Sequence, residues 1–97
     1  MEFNVENETL TIFLEGTINS FNAEDVEKEV DDILKGNTFQ KIVFDLEHLH
    51  YLSSAGLRII VRVKQQYDDI TLIKTPESVY EIFEMVGFQN IVKVEKL

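Results

Sequence analysis

The sequence predicts an α/β fold: one domain over residues 1–97, with a mixed sheet of about five strands and about three main helices. Three observations carry this. Two apolar runs near the amino terminus alternate with period two, the spacing of half-buried strands, and a short turn sequence joins them into an opening hairpin. From residue 22 onward, segments with helical spacing of apolar residues take turns with short apolar runs of strand length, the order that gives parallel crossovers. Gly16, Gly36, Gly87 and Pro76 fall at the ends of these segments.

Phe3 and Val5 alternate with Asn4 and Glu6, and Leu10, Ile12 and Leu14 alternate with Thr9, Thr11, Phe13 and Glu15. The junction Glu6-Asn7-Glu8-Thr9 suits a hairpin, because Asn7 tolerates the positive backbone angle that tight turns demand. Gly16 ends the second strand, and residues 17–21 read as a loop with Ile18 tucked against the core. Asn22 is expected to cap a helix whose first turn, with Glu24 and Asp25, suits the positive end of its dipole. Val26, Val30, Ile33 and Leu34 recur at i, i+4, i+7 and i+8 and form its buried face, while Glu27, Glu29, Asp31 and Asp32 face solvent. Lys35 and Gly36 supply its basic last turn and its stop.

Residues 41–46 predict the central strand. Their run Ile42-Val43-Phe44 is continuously apolar, as in a strand covered by helices on both faces. A second helix follows, with Ser54 expected at its N-cap and Leu57, Ile59, Ile60, Val61 and Val63 on its apolar arc. Arg58 and Arg62, four apart, share its polar side, where they balance carboxylates or meet an acidic group. Ile70 to Ile73 form another strand. Thr75 caps and Pro76 opens a last helix with Val79, Ile82, Phe83 and Val86 buried, Gly87 stops it, and residues 88–94 supply the final strand.

The composition excludes several functions. With 18 acidic and 9 basic side chains the net charge is −9, so nucleic acid and anionic membrane surfaces repel the chain and a basic protein surface attracts it. No cysteine is present, hence no disulfide, no thiolate nucleophile and no cysteine-ligated zinc. The amino terminus lacks the pattern of a signal peptide and no stretch approaches the length of a membrane span, so a cytoplasmic location is expected. His48 and His50 lie beside Asp45 and Glu47, but no third and fourth ligands stand at a recognised interval, and no metal is expected. A hydrolase built on Ser54 lacks the Gly-x-Ser-x-Gly elbow, and no glycine-rich loop could hold ATP. The expectation is a protein without enzymatic activity or cofactor. Ser54 has a different prospect: a phosphate there would add roughly −1.5 to −2 charges beside the positive end of a helix, which the fold tolerates and a docked partner does not.

The run Asp45-Leu46-x-x-Leu49-x-Tyr51-Leu52-Ser53-Ser54-Ala55-Gly56-Leu57 resembles the signature of STAS domains of the bacterial anti-sigma factor antagonist type. That signature reads Asp-Leu, two variable residues, an aliphatic, one variable residue, an aromatic, an aliphatic, then Asp-Ser-Ser/Ala-Gly-Leu. The opening hairpin, Leu14-Glu15-Gly16-Thr17-Ile18 with Asn22-Ala23, and the closing Val86-Gly87-Phe88 are similar to the family as well. The resemblance implies a partner-switching protein. The unmodified form binds an anti-sigma factor that is also a serine kinase and frees the sigma factor; phosphorylation abolishes binding and a serine phosphatase restores it.

Carried onto this chain, the phosphoacceptor is Ser54. Ser53, Ala55, Gly56, Leu57 and Arg58 lie in the docking surface, beside the loop that holds Thr17, Asn19 and Asn22. One departure stands out: Ser53 occupies the place of the usual acidic residue, which removes a charge and sets a second candidate acceptor beside the first. The expected molecule is a monomer, at most a weak dimer. The alternative is a constitutive STAS scaffold or ligand-binding subunit of another complex, in which Ser54 is a cap and nothing more.

Overall fold

Strands β1, Phe3–Glu6, and β2, Thr9–Phe13, form the opening hairpin, with Phe3 opposite Ile12 and Glu6 opposite Thr9. Its two turn residues are both left-handed, Asn7 at φ 51° and Glu8 at φ 64°, as a type I′ turn requires. Asparagine adopts this angle readily and glutamate does not. The left-handed backbone costs a residue with a Cβ roughly 1–2 kcal/mol, whereas glycine's extra freedom when unfolded costs about 0.4–1 kcal/mol. Glu8→Gly is therefore expected to stabilise the domain by about 0.5–1 kcal/mol, read as a higher urea midpoint at unchanged slope.

The computed structural model describes residues 1–35 and 38–97. After the hairpin come β3, Gly16–Ile18; α1, Ala23–Leu34; β4, Lys41–Asp45; β5, Leu49–Leu52; and α2, Ser54–Gln66. Then follow β6, Ile70–Thr75; α3, Glu77–Val86; a 3-10 turn, Phe88–Asn90; and β7, Lys93–Lys96. The main sheet has five strands in the order β1-β2-β4-β6-β7, antiparallel at the hairpin and parallel elsewhere. It is the mixed five-stranded sheet with three helices that the sequence predicts. A second, two-stranded parallel sheet pairs β3 with β5.

Strand order along the parallel part follows chain order, and right-handed crossovers then place α1, α2 and α3 on the same face. Burial agrees: Leu10, Ile12, Ile42, Phe44, Ile70 and Leu72 share one core with Val30, Ile60, Val79 and Phe83. Val43, Phe13 and Ile73, out of phase by one residue, lie outside that core. The expectation that helices cover both faces is thus corrected. Val43 belongs to a row across the uncovered face that reads Asn4, Thr11, Val43, Thr71, Lys93, and its strand neighbours shield it.

Several boundaries differ from the sequence reading. Residues 16–18, expected as strand end and loop, form β3 because β5 offers them a partner. Asn22 holds the N-cap position of α1 without a side-chain cap bond, and the Gly36 stop lies outside the described residues. Thr75 is the last residue of β6, buried, with its hydroxyl unpartnered; Pro76 takes the N-cap position, and α3 starts one residue later than predicted. Val86 is 57% exposed, so the buried stripe of α3 rests on Val79 and Phe83. Gly87, at φ 70°, ends α3 as expected. Phe88 then packs on Phe83, ring centroids 5.2 Å apart, which uses the segment expected as strand and delays β7 to Lys93.

Arg62 ties α1 to α2. Its guanidinium lies 2.6 Å from the Glu27 carboxylate and hydrogen-bonds both Asp31 oxygens at 3.1 and 3.2 Å. The hydrogen bond to Asp31 raises its pKa above the ordinary value, helped by the charges of Asp31 and Glu27 and opposed by burial. No helix among the described residues is long and apolar enough to cross a membrane.

Candidate functional site

The segment from Asp45 to Arg58 begins with a buried carboxylate. Asp45 closes β4, and its Oδ1 accepts a hydrogen bond from the Glu47 amide at 3.0 Å, which turns the chain. Lys74 faces both acids, 3.8 Å from Asp45 and 3.7 Å from Glu47. It sits at φ 54° where the pairing of β6 with β7 shifts register. His48 and His50 are exposed beyond this turn, and among the described residues no group of three or more His, Asp or Glu could hold a metal ion.

β5 then runs beside β3, and the last bond of this pairing decides the geometry of the serines. The Ser53 amide donates to the Ile18 carbonyl at 2.8 Å, which keeps Ser53 extended at φ −79° and ψ 174°. An extended residue before the first turn is an N-cap, and the Ser53 hydroxyl accepts a hydrogen bond from the Gly56 amide at 3.3 Å. The cap is therefore Ser53, where the sequence reading expected Ser54. Ser54 is instead the first residue of α2, exposed, with its side chain released from capping.

Gly56 lets α2 begin so close to the small sheet. A Cβ there would overlap Leu52 Cδ1 and lie 3.0 Å from Ile18 Cγ2. Leu52 and Ile18 are 1% and 2% exposed and have nowhere to go. Gly56 is buried, so it shapes the surface through its neighbours.

The loop into α1 is held by two asparagines. Asn19 Oδ1 accepts hydrogen bonds from the Phe21 amide at 2.9 Å and the Asn22 amide at 3.1 Å. Asn22 Oδ1 accepts from the Asn19 amide at 2.8 Å, and its Nδ2 donates to the Thr17 carbonyl at 2.7 Å. These bonds replace the helix cap expected of Asn22: its side chain turns back to the loop and leaves the first amides of α1 alone.

Thr17, Asn19 and Asn22 are thereby fixed on one side of a ledge, and Ser53, Ser54, Ala55, Leu57 and Arg58 on the other, joined by the bond from Ser53 to Ile18. Beside this ledge, between α1 and α2, lies a shallow cleft of about 290 Å³, to which α1 contributes Glu24 and Glu27, α2 contributes Ala55 and Arg58, and the loop contributes Ser20. Of the two arginines expected on one face, Arg62 is occupied by Glu27 and Asp31, and Arg58 is exposed at the cleft.

Sequence reasoning missed Phe21, which is 93% exposed at the tip of this loop. The available signal was an aromatic inside the polar run Asn19-Ser20-Phe21-Asn22, belonging to no apolar period. Chemically the ledge offers a neutral hydroxyl at a helix start, amide-rich loop edges and little enclosure, which suits contact with another protein better than capture of a small molecule.

Comparison with known proteins bears on the family and the fold. The model of the STAS domain matches residues 1–96. The candidate anti-sigma factor antagonist BtrV of Bordetella bronchiseptica is 38% identical over 86 residues, covering 84% of this chain and 72% of its own. An anti-sigma factor antagonist from Mycobacterium paratuberculosis superposes with a TM-score of 0.86 at 13% identity, covering 99% of this chain and 84% of that one. The antagonist SpoIIAA, solved unphosphorylated, gives 0.76 at 17% identity, covering 96% and 87%; a structure of its phosphorylated form gives 0.67 at 16% identity, covering 96% and 90%. At these identities the structural likeness is one of fold.

Proposed function

Because the chain belongs to the STAS domain family, in the group of anti-sigma factor antagonists, we propose that it acts by partner switching controlled at Ser54. In its unmodified form it docks on an anti-sigma factor that is also a serine kinase, and the sigma factor is released. The kinase transfers a phosphoryl group: Ser54 Oγ attacks the γ-phosphorus of ATP, the bond to ADP breaks, and the hydroxyl proton passes to a base of the kinase. A serine phosphatase hydrolyses the ester and restores the hydroxyl. The chain itself supplies the acceptor and the surface and no catalytic group. This work belongs in the cytoplasm, where sigma factors act.

The observation that carries this reading is the position of Ser54, exposed at the first residue of α2 while Ser53 takes the capping bond. A phosphate of roughly −1.5 to −2 charges placed there faces free helix amides, so the domain keeps its fold. The same charge, with its hydration shell, would have to be buried in any interface covering the ledge. Incubation with ATP and candidate anti-sigma factor kinases from the same organism, followed by peptide mass mapping, tests the assignment. Wild-type protein should gain one phosphate on Ser54. Ser53→Ala loses a cap worth roughly 1 kcal/mol yet should be modified as wild type is, and Ser54→Ala should not be modified. Phosphate on Ser53 alone, or on neither serine, would refute the assignment.

A further inference from the structure

We propose that Phe21 is the anchor of the Ser54 docking surface, inserting into an apolar socket with a basic rim on the anti-sigma factor. The inference rests on the partner-switching reading and adds to it a residue that the resemblance does not name.

Phe21 contributes almost nothing to the fold. It is 93% exposed, whereas Phe39, Phe44, Phe83 and Phe88 are each no more than 6% exposed and Phe3 is 50% exposed. A single exposed apolar side chain is ordinary on a protein surface, but aromatic residues, phenylalanine among them, are enriched where proteins meet, and this one stands on a loop ordered by its neighbours. Its backbone is also ordered in advance. The Asn19 side chain holds the amides of Phe21 and Asn22, and the Asn22 side chain holds the Asn19 amide and the Thr17 carbonyl. A partner therefore has little loop entropy to overcome on binding, which raises the affinity gained from the ring.

Position and charge name the occupant. Ser20, next in sequence, lines the same cleft as Ala55 and Arg58, and the Ile18 carbonyl is bonded to the Ser53 amide. A protein that covers Ser54 therefore meets Phe21 at the edge of the same footprint. Glu24 and Asp25, both exposed, follow within one turn, and the chain carries a net charge of −9. A socket for this ring is thus expected to carry lysine or arginine at its rim. Met85, 85% exposed at the end of α3, belongs to neither the loop that holds Asn19 and Asn22 nor the cleft lined by Ser20, Ala55 and Arg58.

The test is calorimetric titration of the anti-sigma factor kinase that phosphorylates Ser54, purified and held with ADP, into wild type, Phe21→Ala, Phe21→Tyr and Ser54→Asp. Sedimentation of each variant alone accompanies it. Phe21→Ala should bind about 30-fold more weakly, which is about 2 kcal/mol at ~1.4 kcal/mol per decade, with an unchanged thermal midpoint. Phe21→Tyr should stay within about threefold of wild type, because the ring remains. A loss below about tenfold for Phe21→Ala, with Ser54→Asp still disrupting, would overturn the anchor and leave the partner-switching reading standing. No binding by wild type would remove both. A wild-type dimer that Phe21→Ala dissociates would place the socket on a second copy and overturn the assigned occupant.

Discussion

Ser54→Asp should weaken binding to the anti-sigma factor by about a hundredfold or more, equivalent to about 2.7 kcal/mol, while leaving the domain as stable as wild type or slightly more so. The two effects have opposite signs because one carboxylate meets two environments. In the free protein it stands in water at the first residue of α2, where a negative charge near the helix start contributes roughly 0.3–1 kcal/mol of stability. In a complex the carboxylate must shed its hydration, and the effective penalty for a buried ion is on the order of several kcal/mol. Calorimetric titration reads the first effect and thermal melting the second. Ser54→Ala carries no charge and should bind within about threefold of wild type. Equal affinities for the Asp and Ala variants would sink the switch and leave the constitutive scaffold as the better account.

Gly56→Val should cost about 3 kcal/mol or more, because an added side chain at a filled site forces shifts the surroundings resist. In a domain of this size that lowers the thermal midpoint by about 12–24 °C, a drop that differential scanning calorimetry would read directly. The reason is space and not backbone angle: among the described residues the positive-φ glycines are Gly16 and Gly87. A Cβ at Gly56 would occupy the volume of Leu52 Cδ1 and press on Ile18. Both residues belong to the small sheet and are packed into the core. A loss of less than about 1 kcal/mol would mean that α2 can slide on the small sheet, and that Ser54 is held less firmly than its bonds imply.

Much of this was legible in the residues. The hairpin announced itself because period two on both sides of Asn7 admits one register, and Gly87 marked the end of α3 because a left-handed stop favours glycine. β3 and β5 were hidden, since Gly16-Thr17-Ile18 and Leu49-His50-Tyr51-Leu52 are too short to show a period and are defined only by each other. The identity of the cap was hidden for the same reason. Two adjacent serines are equally able to cap, and the choice falls to the backbone bond from Ser53 to Ile18, thirty-five residues away in sequence. Val43 misled because a valine shielded by its strand neighbours reads, in sequence, like one covered by a helix. Asn22 misled because its amide found the Thr17 carbonyl and Asn19, local competitors that composition alone does not rank.

The row Asn4, Thr11, Val43, Thr71, Lys93, crossing the side of the sheet without helices, bears on how the molecule behaves among crowded neighbours. Four of its five members carry a hydroxyl, an amide or an ammonium group, and Val43 and Thr71 at its centre are buried, so that row offers a neighbour little exposed apolar surface to grip.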